Sequence, residues 1–450
     1  MSGRLLLIEM RRTIAVLLAL PLFLLAWQTL GGWFARPVVL WPDLSFVIGK
    51  GATLIGPPLA GIAAWMAGRE RRRGLAELLH TTPRAPFPLL LTTLAGTLCW
   101  GTLAYGAFAI FALLWTARRA TWGGPDGWPI LVGLLALALY ATFGFLIGII
   151  LPSRFTAPLV ALAVFAVQVS LLPLANAFLP LYPLQWLFLV THVDTTVWFG
   201  SRPAVAPFQA LFNVGLTILG LAGLGYHRGR PHPLWSVAAV LLALALVTAS
   251  IVGVLQRAPT REQMREYWSP GFPPQAYIPV CSAAPLPVCV HPAYAAALPQ
   301  ASADLNTLLA PLIGVPGFPP RAEQSAPSTI SQSVQIVGAL PFALDSYNTY
   351  NVRTTALFCA IYACPTDTLV PIGTPQPGDQ ARAAIAAWLW TRVEGPGASS
   401  FGSCGIRGFT NDVCAATGRF AALDSETQHE WLVAHFADLR AGRLTLEELP

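Results

Sequence analysis

Seven stretches of the chain are apolar for long enough to cross a bilayer, and the polar residues gather between them. A hydrocarbon core of about 30 Å needs roughly 20 residues of helix. The stretches lie at about residues 13–33, 46–67, 89–115, 129–151, 157–179, 205–226 and 234–256. The last, LWSVAAVLLALALVTASIVGVLQ, holds no ionisable residue. The first follows Arg4, Arg11 and Arg12 but is not followed by a clean small-x-small cleavage site, so an uncleaved first span is expected. Between the fifth and sixth spans, residues 180–204 are apolar but broken by Pro180 and Pro183. Proline removes backbone donors, and a re-entrant or interfacial hairpin on the outer face is expected there.

Beyond residue 256 the pattern changes. A Pro-rich stretch, SPGFPPQAYIPV and then SAAPLPVCVHP, reads as extended chain and turns. Helical periodicity follows at about 299–312, 379–393 and 424–441, and strands are expected at SVQIVGA and TTALFCAIY. The last helix is well marked, with Asp424 or Ser425 as its cap and Trp431, Leu432, His435, Phe436 and Leu439 on one face. The expected fold is a polytopic α-helical membrane protein of about seven transmembrane helices, residues 1–256, with a small C-terminal extracytoplasmic α+β domain, residues 257–450.

Composition agrees with a bilayer as solvent for much of the chain: 55% hydrophobic and 11% charged residues, with a mean hydropathy of +0.58. The net charge of +6 does not point to nucleic acid, because the arginines sit beside apolar segments and no nucleic-acid motif accompanies them. Their distribution sets an orientation. With the N-terminus cytoplasmic, the inner segments carry Arg4, Arg11, Arg12, Arg69, Arg71, Arg72, Arg73, Arg84, Arg154, Arg228 and Arg230, whereas the outer loops carry Arg36, Lys50, Arg118, Arg119 and Arg202. That balance favours a bacterial cytoplasmic membrane protein with its N-terminus inside and residues 257–450 outside.

The cysteines point the same way. Six of seven, Cys281, Cys289, Cys359, Cys364, Cys404 and Cys414, lie in the tail, an even number that suits an oxidising compartment. The local pairing Cys281–Cys289, Cys359–Cys364 and Cys404–Cys414 is the most economical of fifteen possible connectivities. None of these spacings is the short C-x2-C pair usual for structural zinc, and disulfides are expected instead. Cys99 lies inside a span.

Motifs for chemistry are scarce. Gly49-Lys50 lacks the surrounding residues of a phosphate-cradling loop. In HEWLVAH, His429 to His435, a zinc protease would need its second histidine where Val433 stands, and no G-x-S-x-G elbow occurs. No catalytic residue, no metal site and no cofactor are expected in this chain. The spans hold almost no ionisable group, and Gln168, Asn176, Gln209 and Asn213 read as interhelical hydrogen-bonding residues rather than a substrate path. A transporter built this way would draw its energy from another subunit.

The most highly charged segment is GRERRRGLAELLHTTPR, residues 68–84. Arg69, Arg71, Arg72 and Arg73, with Glu70, form five adjacent charges that cannot stay in hydrocarbon, and they anchor the loop in the cytoplasm. Beyond them Leu75, Leu78 and Leu79 share one side of a short helix, with Glu70, Arg73 and Glu77 nearly opposite, and Pro83 limits it. Together with the N-terminal LLLIEMRRT, this segment resembles the membrane subunits of ABC exporters of the ABC-2 type. The resembling elements are Glu70, Arg73, Gly74, Leu75, Glu77, Leu78, Leu79, Pro83 and Arg84. The resemblance implies that 68–84 is a coupling helix docking on a separate ATP-binding subunit, which would carry ATP and Mg. It also implies that a second permease copy or a paralogue completes the path, with membrane lipids around it. A typical member has six spans, whereas this chain adds a seventh and an outer domain; that domain resembles C-terminal regions of actinobacterial permease-like proteins of no assigned activity. Two other functions fit the sequence: a non-transporting membrane-anchored binding or sensor protein, and an envelope enzyme with its site in 257–450.

Overall fold

The computed structural model describes residues 8, 10, 15–28, 38–72, 86–177, 187, 195–196, 200–201, 205–228, 233–257, 278–324, 339–342, 349–362, 377–394 and 411–450. The chain divides into two compact units, Met1–Phe34 with Val39–Met264, and Ala35–Val38 with Arg265–Pro450.

The first unit is a helical bundle. In order it contains α1 (Ala15–Trp27), β1 (Val39–Leu40), α2 (Trp41–Ala67), α3 (Arg69–Arg72), α4 (Pro86–Ala117), β2 (Ala120–Trp122), α5 (Trp128–Ile150), α6 (Thr156–Ala177), the short strands β3 (Thr195–Thr196) and β4 (Gly200–Ser201), α7 (Ala206–Arg228) and α8 (Pro233–Arg257). Each of the seven apolar stretches therefore contains a helix. Among the described residues, five helical segments are long and apolar enough to cross a membrane: Val47–Ala67, Phe87–Ala117, Trp128–Ile150, Ala206–Tyr226 and Trp235–Arg257. α1 is described over 13 residues, with Pro21 inside it, and the apolar run of α6 over Thr156–Ser170, so neither is among the five. Most of the segment expected as a re-entrant hairpin, 180–204, lies outside the described residues; β3 and β4 pair antiparallel within it.

α2 is the hub of this unit. It packs against α1, α4, α5 and α6, whereas α8 packs mainly against α7. The approach of α2 to α5 is the closest kind two helices can make. A Cβ added at Gly144 would stand 2.2 Å from the Ala60 carbonyl oxygen, and one at Gly148 would stand 2.3 Å from that of Ala64. Glycines four apart facing alanines four apart bring the two backbones into contact, which is how helices associate in lipid, where no hydrophobic effect drives them together. Larger side chains fill the spaces around this seam: Ile55, Leu59, Tyr105, Phe108, Leu137 and Phe145 are fully buried.

These contacts also fix helix directions. Gly56 meets Tyr140 and Gly148 meets Ala64, so α2 and α5 run parallel; Gly51 meets Phe108 and Gly101 meets Leu59, so α4 runs against α2. Gly61 meets Ala157 at the start of α6, Gly220 and Gly223 meet Thr142 and Leu146, and Gly253 meets Phe208. α6 is thus antiparallel to α2, α7 is parallel to α5, and α8 is antiparallel to α7. The rings of Trp27 and Phe111 lie 4.7 Å apart near the two C-terminal ends of α1 and α4, which run the same way. Successive long helices therefore alternate in direction from α1 to α8.

The second unit joins a small sheet to helices. Its strands are β5 (Val280–Cys281), β6 (Val288–Val290), β7 (Ala322–Gln324) and β8 (Leu340–Phe342), paired in that order. β5 is antiparallel to β6, and β6, β7 and β8 are parallel. Its helices are α9 (Leu298–Leu309), α10 (Thr349–Tyr362), α11 (Pro377–Glu394), α12 (Asn411–Ala422) and α13 (Ser425–Ala441). α9 supplies the crossover that parallel β6 and β7 require. The core centres on Leu305, Phe342, Trp390, Phe420, Leu432 and Phe436, with Phe420 edge-on to both Trp388 and Trp431 at 4.8 and 5.3 Å.

One expected element is corrected. TTALFCAIY is the body of α10, not a strand. Val352, Ala356 and Ala360 are buried four apart, as are Leu357 and Ile361, a helical spacing that the β-branched and aromatic composition of the segment conceals. Of SVQIVGA, residues 333–338 lie outside the described residues, and the neighbouring strand begins at Leu340. The last helix starts where its cap was expected: the Asp424 carboxylate accepts from the amides of Glu426 and Thr427, and Gly442 ends the helix in a left-handed conformation.

Candidate functional site

The helix directions collect the basic residues. The C-terminal end of α2, the turn between α5 and α6 with exposed Arg154, the end of α7 and the starts of α4 and α8 all lie at one end of the bundle. At this end Tyr226, near the end of α7, and Trp235, near the start of α8, are largely exposed, as is Phe155 beside Arg154. Aromatic rings with arginines at the end of an apolar span are what a membrane–water interface selects. The opposite end is built differently. There β1 and β2 pair in parallel, Arg119 lies 5.1 Å from the centre of the Trp115 ring, and the Asp126 carboxylate accepts from the Trp128 amide at the start of α5.

The candidate site begins where α2 ends. Gly68 closes the helix and its amide donates to the Ala64 carbonyl, and α3 follows at once with the Arg72 amide donating to Gly68 O at 3.1 Å. The Arg72 side chain folds back two turns. Its guanidinium carbon lies 3.8 Å from the centre of the Trp65 ring, and Nη2 donates to the Trp65 carbonyl oxygen. Arg71 is exposed and Arg69 half-buried. Glu70 belongs to α3, but its side chain is outside the described residues, as are Arg73, Gly74, Leu75, Glu77, Leu78, Leu79, Pro83 and Arg84 entirely. Of the residues expected at this site, the structure thus places Arg69, Glu70, Arg71 and Arg72 on α3, directly after α2, and does not describe the leucine face. Trp65 was missed in the sequence, although an aromatic seven residues before an arginine is two helical turns away and on the same face.

Inside the bundle the Tyr105 hydroxyl of α4 donates to the Pro129 carbonyl of α5, while several other hydroxyls bond within their own helices. Gln209 and Asn213 of α7 are buried. Thr97 donates to Thr93 O, Thr217 to Asn213 O and Ser250 to Leu246 O, each within its own helix, so these hydroxyls need no water. Within the five apolar spans the charged residues are Lys50, exposed near the start of its span, and Arg257, at the end of its own.

In the second unit, Cys281 and Cys289 are bonded across the antiparallel β5–β6 pair. Cys359 and Cys414 each take part in a disulfide, and Cys364 and Cys404, their expected partners, lie outside the described residues. His429 is exposed and His435 half-buried, its ring stacked on Trp431 at 4.9 Å with Nδ1 3.0 Å from the Trp431 carbonyl oxygen. Among the described residues no three His, Cys, Asp or Glu side chains come together as metal ligands would. His291 is buried and accepts at Nδ1 from the Ala293 amide, and burial lowers its pKa below the usual histidine value. No protein-family model matches the chain, and no curated protein or solved structure does either.

Proposed function

We propose that this chain is the membrane subunit of an ATP-driven exporter of the ABC-2 type, spanning the bacterial cytoplasmic membrane seven times. Its N-terminus is cytoplasmic, and residues 257–450 form an outer domain that receives, shields or hands on the substrate. Segment 68–84 is the coupling helix, docking on a separate ATP-binding subunit that carries ATP and Mg, and a second copy or a paralogue completes the path. The observation that carries this reading is the run Arg69–Arg72 leaving the most buried helix at the arginine-rich end of the bundle. Two features support it: the alternation of helix directions, which suits seven crossings, and the near absence of ionisable groups in the spans, which suits transport driven by another subunit.

The test is co-purification of the full chain from its own membranes. An ATP-binding subunit, identified by its phosphate-cradling motif, is expected to come with it and to be lost when Glu70→Lys and Leu78→Lys are combined. Reconstituted vesicles are then expected to show ATP-dependent export. No such subunit in the wild-type preparation would overturn the proposal; binding without flux would point to a sensor that keeps the permease layout.

A further inference from the structure

Gly68 poses a question that its backbone does not answer. Its φ of −82° and ψ of 0° are right-handed helical values open to any residue, so glycine is not needed there for conformation. What it supplies is space. A Cβ at Gly68 would stand 2.5 Å from Arg72 Nη1, which lies where a side chain would otherwise be. The guanidinium is held from two further sides, by the Trp65 ring and by the Trp65 carbonyl. That carbonyl is among the last four of α2, the acceptors a helix leaves open at its C-terminal end and to which cations are drawn. Trp65 itself is 37% exposed, so its ring offers a free face to the cation. Two turns further back, beyond Gly61, stand Pro57 and Pro58, which withdraw the two amides that would have bonded the carbonyls of Thr53 and Leu54.

A basic run that served only to hold topology would need charge and nothing else. Here a planar cation is stacked, hydrogen-bonded and given a cavity by a neighbouring glycine. We propose that Arg72 is a positioning residue, clamped by Trp65 over Gly68, that ties the start of segment 68–84 to α2. A displacement of that segment is thereby passed to the most buried of the five spans, whose interior lacks two ladder hydrogen bonds at the proline pair. The transmission role rests on reading 68–84 as the contact with an ATP-binding subunit; the clamp itself does not.

The experiment separates the two. In the full chain reconstituted in vesicles, a nitroxide at exposed position 71 (Arg71→Cys in a Cys99→Ser background) reports the mobility of α3. Trp65→Phe keeps an aromatic face and is expected to match wild type. Trp65→Leu, Arg72→Lys and Gly68→Ala are expected to free the label. Stimulation of the partner's ATPase is expected to fall about threefold to tenfold in the same three variants, the size of a lost cation–π contact, with the affinity for the partner unchanged. Lysine keeps the charge and leucine keeps an apolar side chain, so a purely topological role would leave both variants like wild type. If Arg72→Lys and Trp65→Leu match wild type in label mobility, the clamp is wrong. If the label is freed but ATPase stimulation is unchanged, the transmission role is wrong. If the wild-type chain binds no ATP-binding subunit, the reading of segment 68–84 fails while the label still decides the clamp.

Discussion

Of the five long apolar helices, α2 has 78% of its span buried within the protein and α8 only 22%, yet α8 is the more hydropathic. In water the two properties rise together, because burial is what rewards an apolar side chain. In this bundle they are opposed. A helix facing lipid must be apolar all round, whereas one enclosed by other helices is free to carry what close packing needs. α2 accordingly holds Gly49, Gly51, Gly56, Gly61, Thr53, Pro57, Pro58 and Lys50, while α8 is a near-continuous run of Leu, Val and Ala with Leu241, Leu242, Leu244 and Val252 exposed. What holds α2 in place is contact between backbones, not the transfer of apolar surface out of water.

The comparison breaks most severely at the α2–α5 seam. Gly144→Leu would drive a side chain into the Ala60 backbone, which has no rotamer with which to give way. Overpacking of mobile side chains costs about 1–3 kcal/mol, and a clash with backbone exceeds that. The expected outcome is loss of monodisperse protein on size-exclusion chromatography of the detergent extract. Normal yield from this variant would mean that the helices are not in backbone contact.

The second unit sharpens the point, because for a domain in water the ordinary relation should return. Leu432 of α13 is fully buried, and Leu432→Ala is expected to cost about 2–5 kcal/mol, read as a lowered thermal midpoint. Leu244→Ala, the same change on the exposed face of α8, is expected to shift the midpoint little. Equal losses at both sites would show that α8 is covered by protein and not by lipid.

Replacing that same residue with a charge asks more of α8. Leu244→Arg places a cation near the middle of the helix, with an expected insertion penalty of about 2.5–3.5 kcal/mol. A reporter enzyme fused after residue 257 should then register loss of translocation of the tail. Unchanged sidedness would count against α8 as the span that delivers residues 257–450 outside.

Much of this contrast was legible in the sequence, and the illegible part has a physical cause. Length and apolarity located the helices, since crossing lipid and forming a helix impose the same requirement. Hydropathy separates α2 from α8, but only the burial shows that the less apolar of the two is the enclosed one. The readable signal was spacing: Gly144 and Gly148, like Ala60 and Ala64, are four apart, the pattern by which helices approach closely in lipid. In the tail, α10 was misread because Thr354, Phe358 and Tyr362 suggest a strand while the buried positions keep a helical period. The basic half of the candidate site was legible as charge, but its seat on Trp65 was not, since an aromatic in a span looks like any other apolar residue.

The mildest test concerns the polar residue buried most completely in the most exposed helix. Ser250 has no accessible surface, like Ala243 and Val254 of the same helix, and a buried hydroxyl in such a place could be read as a hydrogen bond to a neighbouring helix. Its Oγ instead donates to the Leu246 carbonyl of its own helix at 2.7 Å. That carbonyl already takes part in the helix ladder, so removing the hydroxyl leaves no acceptor stranded and opens only a small space beside α7. Ser250→Ala is therefore expected to change stability by about 0.6 kcal/mol or less, the average for polar contacts between membrane helices. The same small effect is expected for Thr97→Val in α4, where the hydroxyl donates to Thr93 O. A loss several times larger at Ser250 alone would mean that its hydroxyl joins α8 to α7, and that even the most lipid-facing helix of the bundle is held by a polar contact.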